Sequence, residues 1–243
     1  MKYLYHGSCN DVLKENFHIN TIFADPPDNL GLEYVGYDDK MDPKEYYEWI
    51  KWVLDQSIAR CGTFWLSYYY RHDLAISRMI APNVRWRKIM WRMTFGQYNE
   101  HDHASGYRIL LRLGVPGNLN AIREESGRMR LGDARAAGPR VPDDVWEYPR
   151  IVGNAGERRV WHPTQHPVAL YQRIGKLANY QMLDLFAGTG TVFRILPSVP
   201  IVGKNPRFFG CETSEFYAKK ILQDNPDVKQ LDQITFVEAL KWK

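Results

Sequence analysis

Leu183-Asp184-Leu185-Phe186-Ala187-Gly188-Thr189-Gly190-Thr191 is an apolar run that breaks on two glycines and then resumes an apolar pattern. It reads as a buried strand turning into a helix. Glycine lets the backbone approach a ligand closely, and a helix start offers unpaired N–H groups to a negative group. The next β-forming run, Phe208-Phe209-Gly210-Cys211, ends on Glu212, near the offset where dinucleotide folds place a ribose-binding carboxylate. No third glycine follows at the pyrophosphate position, so a single-nucleoside cofactor fits better than a dinucleotide. The stretch predicts an α/β chain with a mostly parallel sheet and a ligand at the carboxyl ends of its strands.

Upstream, Thr21-Ile22-Phe23 runs into Ala24-Asp25-Pro26-Pro27-Asp28-Asn29-Leu30-Gly31. Two prolines fix φ, restrict the preceding residue to extended backbone and supply no N–H, so the loop is stiff and presents carbonyl oxygens beside the Asp25 carboxylate. A rigid cluster of acceptors suits a substrate that donates protons, such as an exocyclic amino group. In isolation Asp-Pro-Pro is an ordinary turn. The loop gains a client only if the glycine stretch lies opposite it.

Between the two, the pattern alternates. A helix is predicted after Asp42-Pro43, with Tyr46, Trp49, Ile50, Val53, Leu54 and Ile58 at helical spacing and Cys61-Gly62 as its end. Residues 63–68, 89–95 and 107–113 read as strands, the last two as an antiparallel hairpin at one sheet edge, and 73–80 as a helix. Residues 114–150 lose apolar periodicity and read as a long surface excursion. Its arginines, Arg123, Arg128, Arg130, Arg135 and Arg140, are candidate DNA contacts set against a plain solvated loop. A helix over 167–178, the strand 181–186, a short helix from Thr191, the loop 197–207 and a helix over 214–224 complete the pattern. The division is 1–113 as a catalytic half, 114–157 as a recognition region and 158–243 as a cofactor half of the same domain.

The totals set bounds. At 243 residues with 14% aromatics the chain can bury a full core, and 32 basic against 28 acidic residues permit a polyanionic partner without requiring one. Cys9, Cys61 and Cys211 are too scattered for a disulfide framework or a zinc site, which predicts reduced, structural thiols. The start lacks the apolar core of a signal peptide and no run is long enough to span a bilayer, so the expected location is the cytoplasm. His101-Asp102-His103 is a weak metal motif without further ligands nearby, and no metal is expected.

Together these motifs resemble a family. Phe186-Ala187-Gly188-Thr189-Gly190 resembles the cofactor motif of S-adenosylmethionine-dependent methyltransferases, and Asp25-Pro26-Pro27 the catalytic motif of amino-group DNA methyltransferases. Trp161-His162-Pro163-Thr164-Gln165-His166-Pro167 is similar to the family's His-Pro-Thr-Gln-Lys-Pro element, and 209–217 to its Gly-x-Glu-x-x-x-x-Tyr element. Their order resembles the permuted β class. The resemblance implies a Rossmann-like, circularly permuted fold with a mostly parallel seven-stranded sheet, one antiparallel edge hairpin and an inserted recognition region. It implies S-adenosylmethionine held by Phe186, Gly188 and Gly190 as wall and floor, Glu212 at the ribose, Thr164 and Gln165 at the methionine end, and Asp184 shaping the loop or meeting the ammonium. Asp25, Pro26, Pro27 and Asp28 become the catalytic loop, acting on N6 of an adenine flipped out of double-stranded DNA. N4 of cytosine, RNA, or a vestigial site that only binds are the alternatives. The implied form is a solitary methyltransferase without a restriction domain, with a homodimer expected because the recognition region is short.

Two departures stand out. Asp28 occupies the place of the aromatic that stacks on the target base, leaving Tyr34, Tyr37, Phe95 and Tyr98 as candidate substitutes. His166 occupies the place of the lysine, which predicts weaker or pH-dependent cofactor binding.

Overall fold

The computed structural model describes residues 1–97, 103–153, 155–195 and 205–241. The chain opens with β1 (Lys2–His6), α1 (Cys9–Lys14) and β2 (Ile19–Ala24), then a small hairpin of β3 (Glu33–Tyr34) and β4 (Tyr37–Asp38). Next come α2 (Pro43–Ile58), β5 (Cys61–Tyr68), α3 (Asp73–Met79), β6 (Trp86–Gln97) and β7 (Ser105–Gly114). The middle stretch contains α4 (Gly127–Arg130) and β8 (Val145–Glu147). After it follow α5 (Val168–Leu177), β9 (Gln181–Asp184), β10 (Arg207–Glu212), α6 (Glu215–Asp224), β11 (Lys229–Leu231) and α7 (Gln233–Lys241).

Among the described residues the main sheet has nine strands in the order β11-β1-β10-β9-β2-β5-β7-β6-β8. The expected seven are its centre, and a three-residue strand extends each edge. The β6–β7 hairpin is antiparallel as expected, but β8 pairs parallel to β6 and removes it from the edge. Side-chain alternation along the strands divides the core between two faces. In β2, Ile22 and Ala24 join α1, α2 and α7 residues such as Val12, Ile50 and Phe236, while Phe23 joins α5 and α6 residues such as Leu170, Ile174 and Ile221.

Local chemistry sets the boundaries. Asp42 caps α2, accepting from the N–H groups of Lys44 (2.9 Å) and Glu45 (3.4 Å), with Pro43 in the first turn where its missing N–H costs nothing. Cys61 and Gly62 do not end α2; the helix stops at Ile58 and both residues begin β5. The predicted helix from Thr191 is a four-residue 3-10 turn, Thr191–Arg194, so no long helix start faces the ligand there. The C-terminal helix α7 is absent from the sequence-based pattern, although Asp232 accepts from the Thr235 N–H (3.0 Å) and Phe236, Val237 and Leu240 lie on its buried face.

Residues 114–150 are only partly a surface excursion. Ile122 and Trp146 are buried in the core, and a Glu124–Arg140 bridge folds the stretch back on itself. Tyr98, His101, Asp102 and most of the loop 197–207 lie outside the described residues.

Candidate active site

β2 and β9 are parallel neighbours although about 160 residues separate them in sequence, with Phe23 opposite Asp184. The proline loop and the glycine loop therefore leave the carboxyl ends of adjacent strands, where open α/β sheets hold ligands. Two cavities meet there. One, of about 460 Å³, is lined by Phe186, Gly188, Glu212, Thr164, Gln165 and Pro27 among others. The second, of about 850 Å³, is lined by Pro26, Asp28, Tyr69, Trp91, Arg108 and Arg158 among others. Asp25, Tyr34, Thr164, Gln165 and His166 line both.

In the smaller cavity, Glu212 ends β10 and its carboxylate accepts from the N–H groups of Gly188 (2.9 Å) and Ser214 (2.8 Å). Burial pushes its carboxyl up to about 7, and those same N–H groups oppose the rise. The Gly188 N–H is thus spent on Glu212. Gly188 sits at φ +48°, and a Cβ there would come within 3.1 Å of the His162 ring, so the loop hugs its neighbours and leaves the cavity open. Phe186 stands on the wall, edge-on to Trp49 at 5.7 Å.

Two of the assigned residues, Asp184 and Gly190, lie behind the cavity wall, Asp184 in the loop-shaping part expected of it, and a third, Gln165, is on the wall but engaged by the chain itself. Asp184 is fully buried and does not line the cavity; it accepts from the Tyr171 hydroxyl and the Phe186 N–H, both at 3.0 Å, and burial lifts its carboxyl to about 7. It shapes the loop. Gly190, at φ +70°, also lies behind the wall, where an added Cβ would come within 3.1 Å of Ile221 in α6. Gln165 lines the cavity, but its amide accepts from the Arg159 N–H and donates to the Glu157 carbonyl, each at 2.7 Å, which locks the loop before α5.

The proline-loop residues are held from several sides. Tyr46 donates its hydroxyl to the Pro27 carbonyl (3.1 Å) and His72 faces the Asp28 carbonyl (2.8 Å), leaving the Pro26 carbonyl free among the described residues. His166 Nδ1 lies 3.0 Å from one Asp25 oxygen and Arg108 Nη2 lies 3.0 Å from the other. Burial alone would raise the Asp25 carboxyl; His166 and Arg108 outweigh it and hold the group down at about 2. The carboxylate is charged at neutral pH, ready to accept.

Asp25, His166 and Ser67 also stand in the Ser–His–Asp order, with Ser67 Oγ 3.1 Å from His166 Nε2. Acyl-transfer chemistry does not follow. Ser67 is fully buried, lines neither cavity and receives the Arg108 Nε–H at 3.2 Å, so its oxygen is not presented to a substrate.

Asp28 borders the larger cavity, but its carboxylate is engaged by the chain itself. It is 7% exposed, accepts from the Tyr69 N–H (2.9 Å) and pairs with Arg108 Nη1 (2.6 Å). Of the candidate aromatics, Tyr34 lines both cavities and Tyr37 only the smaller one. Tyr69, on the larger cavity, and Arg108 are site residues that the motifs do not reveal. A signal for Arg108 exists as a lone cation inside the apolar strand Tyr107-Arg108-Ile109-Leu110-Leu111, where burial demands a partner.

The five candidate DNA-contact arginines are exposed on the middle stretch and line neither cavity. Arg135 pairs with Asp133 and Arg140 with Asp143, each at 2.8 Å, and Arg123 donates to the Pro139 carbonyl. Arg128 and Arg130, in α4, have no side-chain partner among the described residues. Among those residues no cluster of metal-ligating side chains occurs, and no helix is long and apolar enough to cross a membrane.

The chain is 26% identical over 222 residues to the type II methyltransferase M.HpaI of Haemophilus parainfluenzae, with 76% of this chain and 64% of that protein covered. It thus spans just under two thirds of that relative's length. It is 24% identical to the DNA adenine methyltransferase YhdJ of Escherichia coli K12, covering 90% of this chain and 80% of that one. The fold matches the crystal structure of the M1.HpyAVI–SAM complex with a TM-score of 0.55 at 16% identity, over 92% of this chain and all of that one. Residues 19–223 match the N6/N4 methyltransferase family model, described as DNA methylase, and the chain belongs to that family.

Proposed function

We propose that the chain transfers a methyl group from S-adenosylmethionine to N6 of an adenine flipped out of double-stranded DNA. The observation that carries this reading is the position of Asp25, an ionised carboxylate on the wall shared by both cavities. The smaller cavity has a size suited to a nucleoside cofactor, an open glycine loop and a carboxylate at the end of β10, all of which fit the donor. Phe186 and Gly188 would wall it, Glu212 would meet the ribose hydroxyls, and Thr164 would lie toward the methionine end. When bound, the donor supplies an electrophilic methyl carbon.

The chain's own residues prepare the nucleophile. An exocyclic amine is weakly nucleophilic because its lone pair is delocalised into the ring. Hydrogen bonds from that amine to the Asp25 carboxylate and the free Pro26 carbonyl favour a tetrahedral nitrogen with its lone pair directed toward the smaller cavity. The larger cavity, bordered by Tyr34 and Tyr69, is where the flipped base would lie. Support for adenine comes from Asp25 ahead of the two prolines, which resembles the adenine-directed members where cytosine-directed ones have Ser, and from the adenine-directed relative; the family also includes N4 enzymes. We carry the 114–157 recognition region and a homodimer into this proposal, and sedimentation should give twice the 28.4 kDa chain mass.

Mass spectrometry of nucleosides from DNA incubated with protein and donor tests the reading. N6-methyladenine that disappears with Asp25→Ala supports it. N4-methylcytosine alone would move the target to cytosine, and no methylated base at all would reduce the chain to a binding protein.

A further inference from the structure

Asp28 has a task in this fold, and the residue that reveals it is Arg108. The Arg108 guanidinium uses all three nitrogens: Nη1 and Nη2 on Asp28 at 2.6 and 3.3 Å, Nη2 also on Asp25 at 3.0 Å, and Nε on Ser67 at 3.2 Å. Ser67 meets His166, and His166 returns to the other oxygen of Asp25. Asp25, Arg108, Ser67 and His166 thus form a closed ring of hydrogen bonds, and Asp28 anchors its cationic corner. The members are largely buried, with side chains 8 to 18% exposed for Asp25, Asp28, Arg108 and His166. A planar guanidinium bridging two carboxylates fixes both in angle as well as distance.

We propose that Arg108 is the positioning residue for Asp25, and that Asp28 acts through Arg108 in place of the stacking aromatic, holding the fork while its bond to the Tyr69 N–H brings Tyr69 to the larger cavity. The inference rests on the methyl-transfer reading only for its kinetic consequences. Asp28 is neither a remnant nor a lost contact: it is half of a two-carboxylate cradle for one cation. Restoring the expected aromatic at position 28 would break the cradle and leave Arg108 with a single carboxylate, so the family-like residue should be the harmful one here. A lysine at 108 offers one compact ammonium, which cannot span Asp25, Asp28 and Ser67 together.

Arg108 from β7 and His166 from the loop before α5 contact Asp25, Asp28 shares the Arg108 guanidinium, and His162, Tyr34, Tyr171 and Asp184 lie within reach of its charge. Removal of Arg108 takes away the guanidinium that, together with the His166 hydrogen bond, holds the Asp25 carboxyl down.

The experiment combines single-turnover methylation across pH 4–8 with a carbon-13 carboxyl NMR titration of Asp25, for the wild type, Arg108→Met, Arg108→Lys and Asp28→Tyr. The expected result is a loss of roughly 10²-fold in transfer rate for Arg108→Met, with cofactor affinity within about twofold of wild type and an Asp25 titration displaced to higher pH. Arg108→Lys should restore the titration and only part of the rate, and Asp28→Tyr should lose activity. A transfer rate and titration unchanged in Arg108→Met, or a faster enzyme from Asp28→Tyr, overturns the proposal. Should Arg108→Met fail to fold, the Lys and Tyr variants decide by the same criteria. If the wild type transfers no methyl group, the functional reading fails by itself, and the Asp25 titration still upholds the positioning role if it moves and overturns it if it does not.

Discussion

His166 Nδ1 lies 3.0 Å from Asp25 Oδ2, so the histidine that departs from the expected lysine is turned toward the proposed acceptor carboxylate. The consequence is a stability term with a defined pH window. Asp25 has a folded value near 2 against an ordinary 3.8, held down by His166 and Arg108 against the opposing effect of burial. A depressed carboxyl contributes stability that is present above pH 4 and lost as pH falls toward 2, on the order of 2 kcal/mol. Asp25→Asn should therefore lower stability at pH 7, and its deficit should shrink below pH 4. Urea unfolding of both proteins at pH 7 and pH 3 checks it; a deficit that does not change between them contradicts the pairing.

Glu212 has the opposite sign. Its carboxyl, raised by burial to about 7 from 4.5, is largely neutral at pH 6 in the free protein. Ribose hydroxyls donating to it would favour the ionised form. Cofactor binding at pH 6.5 should then release a proton, and affinity should rise from pH 6 to pH 8. Calorimetry in two buffers of different ionisation enthalpy measures the release, and Glu212→Gln should abolish it. Without ligand, the raised value gives stability that is full below pH 4.5 and declines as pH rises through 7, so Glu212→Gln should also flatten that decline.

How much of this is legible in the sequence depends on whether a residue's partner lies nearby along the chain. The strand leading into the glycine loop, the Asp42-Pro43 helix start and the position of Glu212 at a strand end all follow from local patterns, and the structure has them. The Arg108 fork is not legible, because Asp25 and Asp28 lie 83 and 80 residues away and only the sheet order β2-β5-β7 brings them together. In sequence, Asp28 therefore reads as a missing ring when it is a bound carboxylate. Asp184 and Gly190 read as cavity residues because they belong to the motif, yet strand alternation turns Asp184 away to Tyr171.

The two glycines of the loop should separate in their effects. Gly190→Ala places a methyl group at φ +70° against Ile221 of α6, so it should cost about 1–3 kcal/mol of stability and leave cofactor affinity nearly unchanged in the folded fraction. Gly188→Trp, at the cavity wall beside His162, should block cofactor binding. Thermal melts paired with calorimetry distinguish them. Equal loss of affinity in both would return Gly190 to the cavity.

The exposed arginines divide by the company they keep. Arg135 and Arg140 already face Asp133 and Asp143, so a phosphate would have to compete with a carboxylate at each. Arg128 and Arg130, on α4 without side-chain partners among the described residues, are free to release counterions from DNA. Replacing either by Ala should weaken DNA binding and reduce the slope of log affinity against log salt by about 1. Arg135→Ala and Arg140→Ala should change that slope less, since each arginine is already neutralised by its carboxylate partner and displaces fewer counterions. Fluorescence anisotropy over a salt series measures all four. A slope that falls equally in every variant would mean that the carboxylates give way on binding, and one that falls in none would place the duplex on another face.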